Sequence, residues 1–496
     1  MSRKPNILLL FTDMQRFDTI HALGNSSIKT PNLDRLVREG TTFTSAYSPS
    51  PVCVPARCCL HYGQYPARTG LTDNGIMPEH NHQSIADLLN DNDYVNQAIG
   101  KCHFTPDVHE LRGFQNRLTQ EECISDPAED DYCKWLAGKK LDYDEPHGTR
   151  GEMYYVPQVS LHDEDTHPSG YIGSKSVEFI HEQKNQSKPW MLFSSFIHPH
   201  PPFAPPKPWH KLYRSPDMEL PAIPDNCEAL LTWINRHQNR YKYRDQGIDK
   251  NLAKQIIAYY YASISFVDFQ IGRILSALEE DGALDDTMII FSSDHGEYLG
   301  DFNCYGKRSM HDPSSRIPLI IRYPERFEAN KRCAEPASLV DILPTVAATI
   351  GASVKNWILD GVDLKQVADG TTERKYVYSQ FSSKETGIYM IVSGEWKYFY
   401  SAGDSREFLF DRNNDQKEIT NQAENSRYNE IKAVLKHELL VFLQTGKFSD
   451  AVDRINSALE WRKYPQYDFS CLKDAKAGLL FQDHDAYTLK RKGYTC

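Results

Sequence analysis

The chain has 496 residues, 40% hydrophobic and 25% charged, with a formal net charge of −11. That length exceeds what one small core organises and predicts two domains. The acidic balance excludes a global basic field for nucleic acid or a long polyanion, so an anionic ligand has to be met by a local basic pocket. The eleven cysteines are irregularly spaced and show neither a disulfide framework nor a zinc-type Cys-x-x-Cys pair, which fits a reducing compartment.

In chain order, Asn6 to Thr12 is apolar almost throughout and ends in Asp13. Its apolar run, Ile7 to Phe11, is too short for a signal-peptide core or a membrane span, so it reads as a buried strand. The expected location is cytoplasmic, or periplasmic or secreted if an export signal has been removed, with no membrane or nucleic-acid partner. A helix is predicted over Leu33 to Glu39, stopped by Gly40, and Thr41 to Tyr47 reads as extended. Pro55 fits the first turn of a helix, which places Cys53 at or just before a helix N-terminus. Ser84 to Asn90 reads as a helix and Tyr94 to Ile99 as a strand ending at Gly100. From Thr105 to Gly170 the periodicity dissolves into a segment rich in Asp, Glu, Gly, Pro and Tyr, predicted as long loops. Regularity returns with helix Ile172 to Gln183, strand Trp190 to Phe196, a long helix Asn251 to Glu280, strands Thr287 to Ser292 and Pro318 to Arg322, and a helix near Leu339 to Ile350. The alternation predicts an α/β fold with a large, mostly parallel sheet between helices, over 1–370. Beyond it, four short strands between Tyr376 and Phe410 and a helix from Ser426 to Gln444 predict a smaller C-terminal α+β unit, 371–496, of antiparallel sheet plus one helix.

Ligands of open α/β sheets gather beyond the carboxyl ends of the strands. Asp13, Lys101 with His103, His198 with His200, and Asp294 with His295 all follow predicted strands and would converge at one sheet edge. Asp13 and Asp294 offer carboxylates to a hard divalent cation, and His295 offers a nitrogen.

The stretch Pro51 to Gly70, PVCVPARCCLHYGQYPARTG, contains Cys53-Val54-Pro55-Ala56-Arg57 followed by Leu60 and Gly63. It resembles the signature of the type I sulfatases of the alkaline-phosphatase superfamily, and the resemblance runs from Asn6 to about Leu443. It implies that Cys53 is matured to formylglycine by a formylglycine-generating or sulfatase-maturing enzyme. The aldehyde hydrate would attack sulfur beside a divalent metal held by Asp13, Cys53, Asp294 and His295. Calcium is the family default; manganese and magnesium are the alternatives. By the same resemblance, Arg57 holds the hydrate or a sulfate oxygen, and Lys101 binds the sulfate. His103 helps break down the sulfated hemiacetal, His200 in Pro-His-Pro-Pro is the proton donor to the leaving oxygen, and Lys307 touches sulfate and leaving oxygen. An alkoxide is a poor leaving group, so that donor is expected to titrate near neutrality.

Two departures stand out: Met14 where the family usually has a second Asp, and Gln64 where relatives commonly have Arg. Asn74 falls near the place of a metal-side Asn in phosphonate-hydrolase relatives. Cys58, Cys59, Asp312 and Arg316 read as structural, and His198 as structural or a substrate contact. Arg236 to Arg244 is either a sugar-binding strip or a solvated helix face. The main expectation is hydrolysis of an O-sulfate ester of a sulfated mono- or oligosaccharide. The alternatives are a phosphonate monoester or phosphodiester hydrolase and an unmatured sulfated-ligand binder.

Overall fold

The structure is a computed structural model that describes residues 4–465 apart from 123, 125, 142–154 and 244–248. Its strands in chain order are β1 (Asn6–Thr12), β2 (Thr41–Tyr47), β3 (Val95–Gly100), β4 (Asn116–Leu118), β5 (Trp190–Ser195), β6 (Thr287–Ser293), β7 (Leu319–Arg322) and β8 (Lys331–Ser338). They form one sheet in the order β4-β3-β5-β1-β6-β7-β2-β8. All are mutually parallel except β7, which runs antiparallel to both neighbours. The helices are α1 (Pro31–Glu39), α2 (Cys53–Tyr62), α3 (Pro66–Thr69), α4 (Ile85–Asn90), α5 (Asp131–Gly138), α6 (Pro168–Gln183), α7 (Cys227–Leu230), α8 (Trp233–Tyr243), α9 (Lys250–Glu280), α10 (Asp312–Ser315), α11 (Ile342–Thr349), α12 (Leu364–Ala368) and α13 (Asn429–Gln444). No described helix is long and apolar enough to cross a membrane.

The unbroken apolar run of β1 follows from burial on both faces. Ile7, Leu9 and Phe11 pack with Val54 and Leu60 of α2, Leu88 of α4 and Leu343 of α11. Leu8 and Leu10 point the other way, into Leu33 of α1, Phe179 of α6 and Ile271 of α9. Successive strand residues face opposite layers, so a doubly covered strand has no polar position to spare.

The small sheet, β9 (Val377–Phe381), β10 (Ile388–Val392), β11 (Trp396–Ser401) and β12 (Arg406–Asp411), is antiparallel in the order β12-β11-β10-β9. One face packs Met390, Phe399 and Phe408 against Tyr47, Val52 and Met310 of the large unit. The other packs Ile391, Tyr398 and Leu409 against Leu435, Leu439 and Leu440 of α13. At the first of these contacts Lys397 is fully buried. Its Nζ lies 2.6 Å from Asp312 Oδ1 and also contacts Glu418. Tyr47 Oη donates to Asp312 Oδ1 (2.9 Å), and Arg316 Nη1 reaches Asp312 Oδ2 (3.1 Å). Asp312 thus ties the two units together and Arg316 braces it from the large unit, structural roles for both.

Three expectations need correcting. The 105–170 segment is not all loop: β4 extends the sheet as a short edge strand, α5 packs Tyr132 and Leu136 into the core, and α6 begins at Pro168. Residues 142–154 lie outside the described residues. The edge strand β8 was missed because its burial alternates irregularly and it carries Pro336. The tail contains a hairpin, β13 (Val452–Ile455) with β14 (Ala458–Trp461); 466–496 lie outside the described residues.

Candidate active site

The four strands that carry the predicted polar clusters, β3, β5, β1 and β6, are consecutive neighbours in the sheet. Their carboxyl ends therefore deliver Lys101, His200, Asp13 and Asp294 to one place. Helix α2 enters there with Cys53 in its first turn, and all ten of its residues are buried. Asn74 is exposed, and its Oδ1 accepts from Val54 N (3.2 Å), the residue next to Cys53, and so caps the helix.

Arg57, one turn on from Cys53, bridges both carboxylates: Nε donates to Asp294 Oδ2 (3.0 Å) and Nη2 to Asp13 Oδ2 (3.3 Å). Its remaining donor, Nη1, serves Lys101 O (2.6 Å) and Ser195 Oγ (2.9 Å). Arg57 therefore organises the carboxylates and is committed to them. Lys101, fully buried, pairs with Asp13 Oδ2 (2.6 Å) and Glu122 Oε2 (2.5 Å). Lys307 Nζ lies 2.9 Å from Cys53 Sγ and 3.6 Å from Met14 Sδ. Burial alone would raise Asp13, but Lys101, His200, Lys307 and Arg57 outweigh it and hold its carboxyl well below the usual range. Burial and Asp13 likewise oppose ionisation of Cys53, and Lys101, Lys307 and His295 reverse them, drawing the thiol well below its ordinary value. The position occupied by Sγ is one where negative charge is favoured. Cys58 and Cys59, by contrast, are pushed up by burial, the first to about 12, as structural thiols should be.

Asp13, Cys53, Asp294 and His295 are buried and offer donor atoms within 4.8 Å of one another. His295 Nδ1–H donates to Gly296 O (3.0 Å), which turns the Nε2 lone pair toward Cys53 Sγ (3.3 Å), Asp294 Oδ1 (3.5 Å) and Asp13 Oδ1 (3.9 Å). Acceptors aimed at acceptors in a buried site call for a cation, so the donor set fits a divalent metal. Asp294 is raised to about 6 by burial and then by Asp13, the signature of two carboxylates sharing a site. Met14 turns its thioether toward Lys307, and its N–H donates to Asp294 Oδ1 (3.1 Å). Gln64 faces away from the site, Nε2 donating to Ile358 O (2.7 Å).

Lys101 and His103 both reach the site because the chain turns after β3, where Gly100 and His103 have φ of 97° and 57°. His103 joins Cys53 and Glu122 in a second group of donors within 4.8 Å, and its backbone N–H donates to Glu121 Oε2 (3.1 Å). His200 is corrected on one point: burial pulls its imidazole down to about 3, against the near-neutral value expected. Its Nδ1–H donates to Pro201 O (2.7 Å) and Nε2 lies 3.4 Å from Glu122 Oε1. His198 packs 4.6 Å from the His167 ring, with Nδ1 3.2 Å from Ser169 Oγ, a structural position. In the Arg236 to Arg244 stretch, exposed Arg236 pairs with Asp404 (2.5 Å), while buried Gln238 Oε1 accepts from Lys307 N (3.0 Å); the side chains of 239–244 lie outside the described residues. Glu122, which bridges Lys101 and His200, was not singled out in the sequence. It stands in an acid-rich loop without a motif, and only the fold brings it to the site.

A mostly parallel α/β sheet with a metal-capable carboxylate–imidazole cluster, buried cations and a poised residue at a helix N-terminus defines a hydrolase of anionic esters. The comparisons narrow the class. The Sulfatase family model matches residues 5–352, and a model described as N-sulphoglucosamine sulphohydrolase, C-terminal, matches 300–445. The chain belongs to the sulfatase family, hydrolases of sulfate esters. It is 30% identical over 459 residues to an arylsulfatase of Clostridium perfringens, covering 86% of this chain and 92% of that one. It is 26% identical over 492 residues to an N-acetylglucosamine-6-O-sulfatase of Bacteroides thetaiotaomicron, covering 85% and 83%. The phosphonate monoester hydrolase of Agrobacterium radiobacter superimposes with a TM-score of 0.78 at 26% identity, covering 93% of this chain and all of that one.

Proposed function

We propose that this protein hydrolyses an O-sulfate ester of a small sulfated saccharide, with Cys53 matured to formylglycine as nucleophile and a divalent ion, calcium first, held by Asp13, residue 53, Asp294 and His295. The observation that carries the reading is the placement of residue 53: it faces the carboxylate–imidazole cluster on one side and Lys307 and Lys101 on the other. The ion would supply Lewis-acid charge that favours an oxyanion at position 53. Lys307 and Lys101 hold the sulfate oxygens, and Arg57 keeps the two carboxylates in register. His200 is neutral in the free protein; an anion arriving beside Nε2 raises it, and it then delivers a proton to the departing oxygen. The saccharide preference is supported by the glucosamine-sulfatase relative and the matching C-terminal family model.

A second reading, hydrolysis of phosphonate monoesters, is favoured by the fold neighbour. Lys101 and His103 weigh toward sulfate. Turnover of nitrophenyl sulfate, a nitrophenyl phosphonate monoester and glucosamine 6-sulfate by protein whose Cys53 peptide has been checked by mass spectrometry separates the readings. A preference for the phosphonate by orders of magnitude refutes ours; a thiol retained in every molecule from the native host refutes formylglycine.

A further inference from the structure

Helix α2 has a second end. Opposite Cys53, nine residues and about 13 Å along the axis, Tyr62 Oη lies 3.2 Å from His80 Nδ1 and accepts from Arg112 Nη1 (3.0 Å). His80, His82 and Asp87 gather here, each offering a donor atom within 4.8 Å of the other two. None of them takes part in the chemistry above.

Each of the three is held in a way that suits a ligand. Asp87 belongs to the capping box of α4: its N–H donates to Ser84 Oγ (3.1 Å), and Oδ2 accepts from Ser84 N (2.9 Å) and Ser84 Oγ (2.6 Å). Its carboxylate is thereby fixed, and Oδ1 points at His80 Nε2 (3.3 Å). Gly113, at φ 93°, makes room for that oxygen, since a Cβ there would sit 2.7 Å from Oδ1. His80 Nδ1–H can donate to Tyr62 Oη, leaving the Nε2 lone pair facing Asp87, the same outer support that His295 receives from Gly296 O. His82 has φ 56°, which brings its exposed ring back to 4.6 Å from that of His80. The nearby cation, Arg112, is neutralised by Glu110 at 2.8 Å.

We propose that His80, His82 and Asp87 form a second metal site, of zinc type, that pins the segment running along α2. Two imidazoles and one carboxylate suit a borderline ion such as zinc and fall short of the six or more oxygens that calcium takes. Tetrahedral zinc with bonds of about 2.1 Å places donors about 3.4 Å apart. His80 Nε2 and Asp87 Oδ1 already stand 3.3 Å apart, so closure falls to the exposed ring of His82, and the fourth position is left for water. The segment concerned leaves Asn74 on the helix N-terminus at Val54 and reaches His80 at Tyr62. An ion at its far end would hold the whole strap, including the cap above Cys53.

The test uses the full-length protein, stripped with a chelator and returned to micromolar zinc, with zinc counted by mass spectrometry. Wild type should hold one equivalent per chain more than the His82→Ala variant. Cobalt titrated into the stripped protein should give tetrahedral visible bands that His82→Ala and His82→Gln lose, with at least tenfold weaker binding. Thermal stability should rise with zinc in wild type and not in these variants, while nitrophenyl sulfate turnover persists in both. Equal zinc content and identical cobalt spectra in wild type and variants would show that His80 and Asp87 form a plain hydrogen bond and overturn the proposal.

Discussion

Replacing Lys397 with Met tests how the small sheet supports the site. Lys397 is fully buried and joins Asp312 of α10 to Glu418. Removing one partner of a buried ion pair costs about 3–5 kcal/mol, because Glu418 loses its counter-ion while Asp312 keeps only Arg316; in a chain of this size that lowers Tm by roughly 3–5 °C. The cost should depend on pH with a definite sign. Burial raises Glu418 from 4.5 to about 7, with Lys397 opposing. A carboxyl whose folded pKa is raised loses stability as pH climbs from its unfolded value through its folded one. Deleting Lys397 moves Glu418 further up and extends that window, so K397M should be more destabilised relative to wild type at about pH 8.5 than at about pH 6. Asp312 is held low, chiefly against burial by Lys397, so its contribution is present above its unfolded value and constant across that range. Calorimetric melts of wild type, K397M and K397M/E418Q at both pH values measure this; the double variant should recover most of the alkaline deficit. Activity should fall too, because Gly296, next to His295, donates to Ser314 O of α10 at 2.8 Å. A destabilisation below about 1 kcal/mol, or one independent of pH, would refute the reasoning.

Other predictions concern the chemistry. Cys53→Ala should abolish turnover, by about three orders of magnitude or more, without lowering Tm appreciably. His200→Ala should slow an alkyl or sugar sulfate about a hundredfold and nitrophenyl sulfate far less, since only the poor leaving group needs the proton. In metal-free protein Asp294 takes a proton at about 6, so calorimetric affinity for calcium or manganese should fall about tenfold per unit below that pH as proton and ion compete. Gln238→Leu should weaken Lys307 function, raising KM for nitrophenyl sulfate about tenfold, because the backbone of Lys307 is held by that amide.

The sheet centre and much of the site were legible because both follow from burial. Strands covered on two faces carry apolar cores, as in Ile7–Phe11 and Met288–Phe291, so the charged residue that follows each strand, Asp13, Lys101 or Asp294, marks a strand end. The start of helix α2 was legible from Pro55. What stayed hidden depends on partners distant in sequence. Nothing local to Leu319–Arg322 fixes its antiparallel direction, which β6 and β2 impose. Glu122 looks like any acidic loop residue until Lys101 and His200 stand beside it. The depressed pKa of His200 arises from burial among residues of other loops, which its own Pro-rich neighbours do not announce.

The burial of α2 also sets a timetable. Cys53 is 1% exposed and Lys307 lies against its sulfur. An enzyme that oxidises this carbon needs the segment in its own cleft, so the conversion proposed here has to occur while Pro51 to Gly70 is still unfolded. Two rates then compete in each newly made chain, maturation and the docking of α2 beneath the sheet edge. Under that proposal the fraction of working molecules would be decided during synthesis, and slowing folding should raise it.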